Sequence, residues 1–331
     1  MDYSIHGILK IKTNVGVSIP DYFRVEKILA PDLTILSKKR LNFEKPKDNK
    51  ILRGNYYFWG HNHKLFVDYG FINAKLSIEN LFGHTKVECA TSLKRFCTKE
   101  SWERLILAIL SVKLIQKGYI FIHAGCLSHR GEGILIVAMQ DTGKTSTVLS
   151  LLDGKEFKFL SDDFTIIGKN GIAYSYPKEV RLSPRTLGGK VISPQGALER
   201  KFLRSRMVST FIERFTKRDI TRLSRVPEIY VVDKCPVGKI FVLSGYGEER
   251  AVRMDKRKAF DAITTLSLQM PNLIETYLDM YYHLFRVNVV GLLEEKNKII
   301  KRAVDAANCF EVTAPNLEGY SRAIRKVMNS N

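Results

Sequence analysis

The amino-acid sequence predicts a protein of the α/β (α+β) class with a small β-rich domain at its N-terminus. Short apolar and β-branched runs separated by turn residues fill residues 1–95, which indicates a mainly β region. An apolar strand at 133–137 leads into a glycine-containing loop and a helix-favouring run at 146–152. The chain closes with a strand at 310–313 and a helix at 317–328, an ending typical of an α/β domain.

The length of 331 residues and the apolar content of 45% fit a globular chain with a large core and two domains. We place the boundary between a β-rich N-terminal domain, 1–95, and a larger domain, 96–331. The net charge of +19 exceeds what a nucleotide site alone requires. The excess indicates either a polyanionic partner, such as RNA, DNA or an acidic protein, or an organism with a generally basic proteome.

In the N-terminal domain, Gly60, His61, Asn62 and His63 have the composition of a hairpin turn. The two histidines also have the spacing of metal ligands, but no third ligand accompanies them, which favours a polar turn. The basic stretch 38–50 is predicted to be a loop. The strands predicted here are 8–11, 15–19, 23–28, 33–36, 56–59, 64–67, 76–81 and 86–90.

Residues 101–117 have apolar positions at helical spacing over a broad face, and they predict a helix. Ser101 is its predicted N-cap, and Gly118 is its predicted end. The next apolar stretch, 119–123, predicts a strand that ends in His123.

The loop after strand 133–137 has the sequence Ala-Met-Gln-Asp-Thr-Gly-Lys-Thr at 138–145 and matches the pattern of a phosphate loop. Backbone N–H groups of such a loop surround a phosphate, and the following helix N-terminus adds a partial positive charge. Ala138 stands where the pattern usually has its first glycine, at a position that accepts a small side chain. The predicted nucleotide-binding residues are Ala138, Met139, Gln140, Asp141, Thr142, Gly143, Lys144, Thr145 and Ser146.

Two side chains of this loop have expected roles in binding a nucleotide. Lys144 would reach the terminal phosphates. The hydroxyl of Thr145 would hold Mg²⁺, and Ser146 or Thr147 would replace it if the register is shifted by one.

Two adjacent aspartates, Asp162 and Asp163, follow a short strand predicted at 157–160, and 164–167 is predicted to continue that strand. Near a phosphate loop, one carboxylate of such a pair can hold or orient the metal. The other can accept the proton of an attacking hydroxyl. His123, on a neighbouring strand, can orient one of the carboxylates or tune its pKa.

The order of a histidine, a strand hairpin, a phosphate loop, a helix and an Asp-Asp pair resembles the bacterial HPr kinase/phosphorylase family. More broadly, it resembles the related P-loop kinases, whose fold is shared with phosphoenolpyruvate carboxykinase. The resemblance extends over 114–184, including the hairpin 126–133. It implies a phosphate loop within a mixed β structure. The matching residues are His123, Gly143, Lys144, Thr145, Asp162 and Asp163.

The resemblance further implies that the histidine and the aspartate pair act together on a seryl hydroxyl. It also makes Lys178 and Arg181 candidates for contacting nucleotide or substrate phosphate, with solvated surface cations as the alternative. The sequence departs from the family at Ala138 and lacks the family's glycine-rich segment after the aspartates. These departures predict a divergent relative with another substrate, and not HPr kinase itself.

Beyond the aspartates, 168–171 is predicted to be a hairpin turn, and 184–196 a loop over the site. The basic segment 199–226 is predicted to be an amphipathic helix. It would either pack on the core with a solvated basic face or bind an acidic peptide, an RNA backbone or a phosphorylated substrate. Further predictions are strands at 172–176, 227–235 and 237–243, a turn at 244–249, and helices at 256–268, 272–285 and 291–308.

The sequence also indicates a cellular compartment. No apolar run reaches the roughly 18 residues of a membrane helix, and the first residues do not have the pattern of a secretory signal. Five cysteines without metal-site spacing indicate free thiols in a reducing compartment. We expect a cytoplasmic protein that does not bind membranes, and we also expect a homo-oligomer.

Together these features predict an ATP-dependent kinase with Mg²⁺ that transfers the γ-phosphoryl group to a hydroxyl of a protein, a peptide or a small molecule. Thr145 and Asp163 are assigned to the metal, although residue type does not distinguish Asp163 from Asp162. One alternative is an RNA- or DNA-directed kinase or NTPase that uses the basic surface. Another is a nucleotide-binding regulator without turnover. The predicted catalytic residues are Asp162, Asp163, His123 and Lys144.

Overall fold

The computed structural model describes residues 1–43, 50–53, 56–70, 74–139, 142–152, 156–178, 180–181, 220–221, 231–267 and 273–330. Contacts between residues divide the chain into two compact units. The first comprises 1–122, 166–171 and 264–303, and the second comprises 123–165, 172–263 and 304–331. The division into 1–95 and 96–331 stays a prediction.

Seven α-helices occur among the described residues, together with two large mixed sheets, so the predicted α+β class is confirmed. No helix in the described ranges combines the length and apolar character needed to cross a membrane. The helices are α1 (Thr91–Phe96), α2 (Lys99–Gln116), α3 (Lys144–Leu152), α4 (Lys256–Ser267), α5 (Leu273–Phe285), α6 (Val289–Ala306) and α7 (Leu317–Asn329).

The first unit contains nine strands of one sheet: β1 (Asp2–Ile5), β2 (Leu9–Thr13), β3 (Arg24–Val25), β4 (Leu33–Lys38), β5 (Ile51–Arg53), β6 (Tyr56–His61), β7 (Lys64–Asp68), β8 (Lys75–Glu79) and β9 (Thr85–Ala90). Their order is β3-β1-β2-β4-β9-β8-β7-β6-β5. The β2–β4 and β4–β9 pairs are parallel. Every second residue of β2 is buried, because alternate side chains point to opposite faces.

The remaining strands are β10 (Tyr119–Ile122), β11 (Ala124–His129), β12 (Glu132–Ala138), β13 (Phe157–Ser161), β14 (Thr165–Gly168), β15 (Ile172–Tyr174), β16 (Val180–Arg181), β17 (Ile220–Thr221), β18 (Lys234–Tyr246), β19 (Arg250–Arg253) and β20 (Asn308–Ala314). In the second unit, β13, β11, β12, β18 and β20 are successive neighbours. The β12–β18 and β18–β20 pairs are parallel, whereas β11 is antiparallel to both β12 and β13.

This strand order brings several chain ends to one edge of the second unit's sheet. Ala124, at the start of β11, pairs with Val137 near the end of β12. Ser161, at the end of β13, pairs with Cys126. The ends of the parallel strands β12, β18 and β20 lie at the same edge. The residues that follow β12 and β13 therefore emerge beside the residue that precedes β11.

The hydrophobic core of the second unit packs against the strands that form this edge. Ile134, Ile136 and Ala138 of β12 are fully buried in one cluster with Val148 of α3 and Tyr320 of α7. The other face of β12 is buried too, and such a central strand lacks a solvent-facing side. The β12–α3 loop, residues 139–143, thus begins from a rigid strand and ends on a helix anchored in the core.

The structure corrects several predictions for the N-terminal half. The stretch 15–19 is not a strand, and of 23–28 only Arg24–Val25 pairs. The first residues form β1, which the prediction omitted. The N-cap of α2 is Thr98, whose side chain accepts a hydrogen bond from the Ser101 backbone N–H at 3.1 Å. Gly118 ends this helix with φ +79°, as predicted.

A correction in the second half matters for the site. The predicted strand 157–167 is interrupted, because β13 ends at Ser161 and β14 starts at Thr165. The predicted strand 237–243 is part of the longer β18, and the helix predicted at 291–308 starts at Val289. The loop 184–196 and almost all of the basic segment 199–226 lie outside the described residues.

Candidate active site

Five side chains of the second unit meet at the sheet edge just described. His123 precedes β11, Lys144 and Thr145 begin α3, and Asp162 and Asp163 follow β13. We call these five residues the edge cluster. All five were predicted from the sequence, and in the structure His123 and Lys144 lie within hydrogen-bonding distance of Asp163, and Thr145 within that distance of Asp162.

Asp163 lies between two basic side chains. Its Oδ1 accepts hydrogen bonds from His123 Nε2 at 3.0 Å and from Lys144 Nζ at 3.2 Å. Burial alone would raise the pKa of Asp163, but the hydrogen bond from His123 and the charge of Lys144 hold this pKa well below its usual range. About half of the side chain is exposed, so the ionised carboxylate is accessible from solvent.

Asp162 has a different environment. Its Oδ2 accepts a hydrogen bond from the Thr145 hydroxyl at 2.9 Å. Its Oδ1 is buried and has no hydrogen-bond partner among the residues that the structure describes. Burial raises the pKa of Asp162 to about 6; the negative charge of Asp163 adds to the rise, and Lys144 opposes it. A buried oxygen without a partner is costly in a folded protein, which makes Oδ1 a position where an incoming cation is favoured.

Gly143 fixes the end of the β12–α3 loop. Its φ of +102° is a conformation that residues with a side chain rarely adopt. A Cβ at this position would collide with the side chain of Leu317 in α7. The Gly143 carbonyl accepts hydrogen bonds from the backbone N–H and the hydroxyl of Thr147, each at 2.9 Å. The start of α3 is therefore held in one orientation.

Gly125 of β11 allows the parts of the edge cluster to approach each other. A Cβ on this glycine would lie 2.6 Å from Val148 Cγ2, 3.3 Å from the Asp162 carbonyl and 3.8 Å from Lys144 Cγ. Any larger residue would push α3 away from the aspartates. Sequence reasoning missed Gly125, because a single glycine inside a strand shows no partner in the sequence.

Further residues surround the edge cluster. The ring of Phe164 lies 5.9 Å from that of His123, and Lys178 Nζ lies 5.6 Å from the centre of the Phe164 ring. Lys178, a predicted phosphate contact, is thus placed next to His123 through one aromatic side chain. The side chain of Arg181 lies outside the described part of the chain.

The other predicted nucleotide-binding residues have varied positions. Ala138 is fully buried in the core, and Met139 is 58% exposed. Thr142 and Ser146 are partly exposed. Gln140 and Asp141 are not among the described residues.

A metal site built from protein side chains alone does not occur in the described ranges, where no group of three or more His, Cys, Asp or Glu is arranged for a metal. Mg²⁺ usually needs fewer protein ligands, since it retains waters and binds substrate phosphates. Thr145 and Asp162, with the orphaned Oδ1, fit such a partial site.

No family model matches the sequence. No curated protein matches it either. Among solved structures, the HPr(Ser) kinase/phosphatase from Coxiella burnetii matches at 14% sequence identity, over 63% of this chain and 98% of that chain, with a TM-score of 0.25. This is a weak structural relationship, and at this TM-score it has no weight in assigning a function.

Proposed function

We propose that the chain is a Mg²⁺-dependent kinase that binds ATP at the β12–α3 loop and transfers its γ-phosphoryl group to a hydroxyl group. One observation supports this most strongly. The lysine and the hydroxyl that begin α3 each contact one carboxylate of the Asp-Asp pair, and within the described part of the chain one buried oxygen of Asp162 has no hydrogen-bond partner.

The phosphates would bind at the start of α3. The first N–H groups of a helix have no partner within it, and they carry the positive end of the helix dipole. Lys144, which is 7% exposed, adds a fixed positive charge. The γ-phosphate would then lie next to Lys144, within reach of both aspartates.

The metal would be held by Thr145 and Asp162. Their hydrogen bond places a hydroxyl oxygen and a carboxylate side by side, and the orphaned Oδ1 would gain the cation as its partner. When bound, Mg²⁺ would neutralise charge that develops on the phosphate oxygens. This proposal gives the metal to Asp162 in place of Asp163, the residue named on sequence grounds.

Asp163 would accept the proton of the attacking hydroxyl. Lys144 pairs with Asp163 and helps to keep its pKa low. A bound triphosphate would compete with Asp163 for Lys144. Loss of the Lys144 hydrogen bond would raise the pKa of Asp163 and free a lone pair of the Asp163 carboxylate. His123 would remain hydrogen-bonded and orient the carboxylate. Nucleotide binding would thereby prepare the base for the acceptor.

The test is ATP consumption with Mg²⁺ in the presence of serine, other small alcohols, cell protein or total RNA as acceptors. We expect one acceptor class to take labelled phosphate, and we expect Lys144→Ala to abolish the labelling. The matched control is Lys239→Ala. Lys239 is equally buried and also pairs with a carboxylate, Glu132 at 2.7 Å, but it lies at the opposite end of the parallel strands. This control should retain turnover.

Other outcomes would change the assignment. ATP binding without labelling of any acceptor would contradict the kinase and favour a nucleotide-binding regulator. Labelling of RNA that weakens steeply with ionic strength would identify a nucleic-acid kinase. Equal losses in Lys144→Ala and Lys239→Ala would show that the edge cluster is structural.

A further inference from the structure

The sheet edge continues past the β12–α3 loop on the side away from the aspartates. The strands lie in the order β13, β11, β12, β18 and β20. The aspartates and His123 therefore lie on one side of the loop, beside β13 and β11. The ends of β18 and β20 lie on the other side.

A large aromatic side chain stands at that second side. Tyr246 ends β18 and is 75% exposed. Among the described residues of the second unit, the large apolar side chains that are exposed to solvent are Met139, Val252 and Tyr246. Met139 and Tyr246 both stand at this edge, because Ala138 pairs with Leu243 in the parallel β12–β18 ladder.

Pairing with β20 fixes the backbone of Tyr246. Tyr246 pairs with Ala314 of β20, and the next residue, Gly247, donates a backbone hydrogen bond to Ala314 at 3.0 Å. Ala314, the β20 partner of Tyr246, belongs to the same buried cluster as Tyr320 of α7. A Cβ on Gly143 would lie 4.0 Å from the Tyr320 ring. Burial raises the pKa of Tyr320, and the proximity of Tyr246 raises it further.

We infer that Tyr246 is the stacking platform for the nucleobase of the nucleotide that binds at the β12–α3 loop. This inference rests on the proposed function. A nucleoside triphosphate is a linear molecule, and if its γ-phosphate lies at Asp162 and Asp163, its base must lie away from them. An exposed aromatic ring at the next strand end offers the base a flat apolar surface.

Base–aromatic stacking contributes about 1–3 kcal/mol, which corresponds to roughly five- to 150-fold in affinity. It tolerates different bases, since every base has a π-face. Tyr246 would therefore distinguish a nucleotide from a bare polyphosphate.

Calorimetric titration of the full chain with Mg²⁺·ATP and with Mg²⁺·triphosphate tests this inference. Tyr246→Ala should weaken ATP binding by about tenfold and leave the affinity for inorganic triphosphate unchanged. Tyr246→Phe should bind both ligands as the wild type does. Val252→Ala is the matched control, because it shortens another exposed apolar side chain of the same unit. It should change neither affinity.

The inference and the proposed function fail in different ways. If Lys144→Ala loses both ligands but Tyr246→Ala binds ATP normally, the stacking platform is wrong and the phosphate site stands. Equal loss of ATP and triphosphate in Tyr246→Ala would also overturn the platform. If the wild type binds neither ligand, the proposed function fails, and the platform fails with it.

Discussion

Two carboxylates in different units of the molecule are almost equally buried, Glu88 at 5% exposure and Asp162 at 8%, but their surroundings differ. Glu88 Oε1 lies 2.7 Å from Lys38 Nζ and 3.1 Å from Lys86 Nζ, and its Oε2 lies 3.6 Å from Lys64 Nζ. Oε1 of Glu88 and Oδ1 of Asp162 both lack a well-aligned hydrogen bond within the described ranges, but only the Glu88 oxygen has ammonium groups at ion-pair distance there. The other oxygen of Asp162 accepts a hydrogen bond from a hydroxyl.

The pKa values follow these surroundings in opposite directions. Burial alone would raise the pKa of Glu88, but its lysine partners lower it. Burial raises the pKa of Asp162 to about 6. Among the described residues, the fold thus places lysines beside the buried carboxylate of Glu88 and no ammonium group at ion-pair distance from Oδ1 of Asp162. A buried carboxylate whose pKa is raised is typical of a functional site, whereas one whose pKa is lowered by several lysines is typical of a structural charge cluster.

The largest effect we expect is on turnover in Asp163→Asn. Loss of the proton acceptor should reduce kcat by about 100- to 10,000-fold, while ATP still binds. Steady-state kinetics with the acceptor found in the labelling screen measure this. Glu88→Gln is the control, because it neutralises a carboxylate that lies outside the cluster. Similar turnover in Asp163→Asn and the wild type would exclude Asp163 as the base.

A smaller effect is expected from Gly125→Ala. The added methyl group must displace Val148 or the Asp162 carbonyl, which should lower the free energy of unfolding by about 1–3 kcal/mol. It should also weaken ATP binding, because α3 moves away from the aspartates. Urea denaturation compares it with Gly83→Ala, whose Cβ would have no neighbour closer than 3.9 Å. Equal stability of the two variants would contradict the close packing.

A further effect is the pH dependence of stability. The pKa of Asp162 is raised from 3.8 to about 6, so the folded chain binds this proton more tightly than the unfolded chain. As pH rises through the range between these two pKa values, ionisation of Asp162 therefore lowers the free energy of unfolding. Between pH 5 and pH 8 this cost should grow by about 1–2 kcal/mol in the ligand-free wild type.

Asp162→Asn cannot ionise and should not show that cost. The variant should therefore become more stable relative to the wild type as pH rises from 5 to 8. Glu88→Gln should instead be less stable at both pH values, since it removes the partner of three lysines. Urea denaturation at the two pH values gives the differences. If the difference in free energy of unfolding between Asp162→Asn and the wild type does not change with pH, the pKa of Asp162 is not raised in the folded chain.

Much of the edge cluster could be predicted from the sequence, because its chemistry lies in short local patterns. The Gly-Lys-Thr tripeptide after a strand, the paired aspartates and a histidine at a strand end are visible without a structure. The sequence does not show which side chains of the cluster hydrogen-bond to each other. That Thr145 bonds Asp162 while Lys144 bonds Asp163 depends on the order of β13, β11 and β12, which connects residues far apart in the chain.

Other features escaped prediction for similar reasons. Apolar residues flank the aspartates on both sides and predict a strand that continues past them, whereas in the structure β13 ends at Ser161 and β14 starts at Thr165. The hydroxyls of Ser161 and Thr165 bond each other at 2.7 Å across this break, which no periodicity reveals. Tyr246 was placed in a turn, since the bulge that extends β18 between Leu243 and Gly245 depends on pairing with β20.

The most direct test of the central claim is the effect of Mg²⁺ on ATP binding to the wild type and to Asp162→Asn. Titration calorimetry would compare ATP with Mg²⁺ and ATP with a chelator. We predict that Mg²⁺ strengthens ATP binding in the wild type, and that Asp162→Asn lowers the Mg²⁺ affinity by about 10- to 100-fold. If Mg²⁺ has no effect on the wild type, or if Asp162→Asn responds as the wild type does, Asp162 does not hold the metal and the account is contradicted.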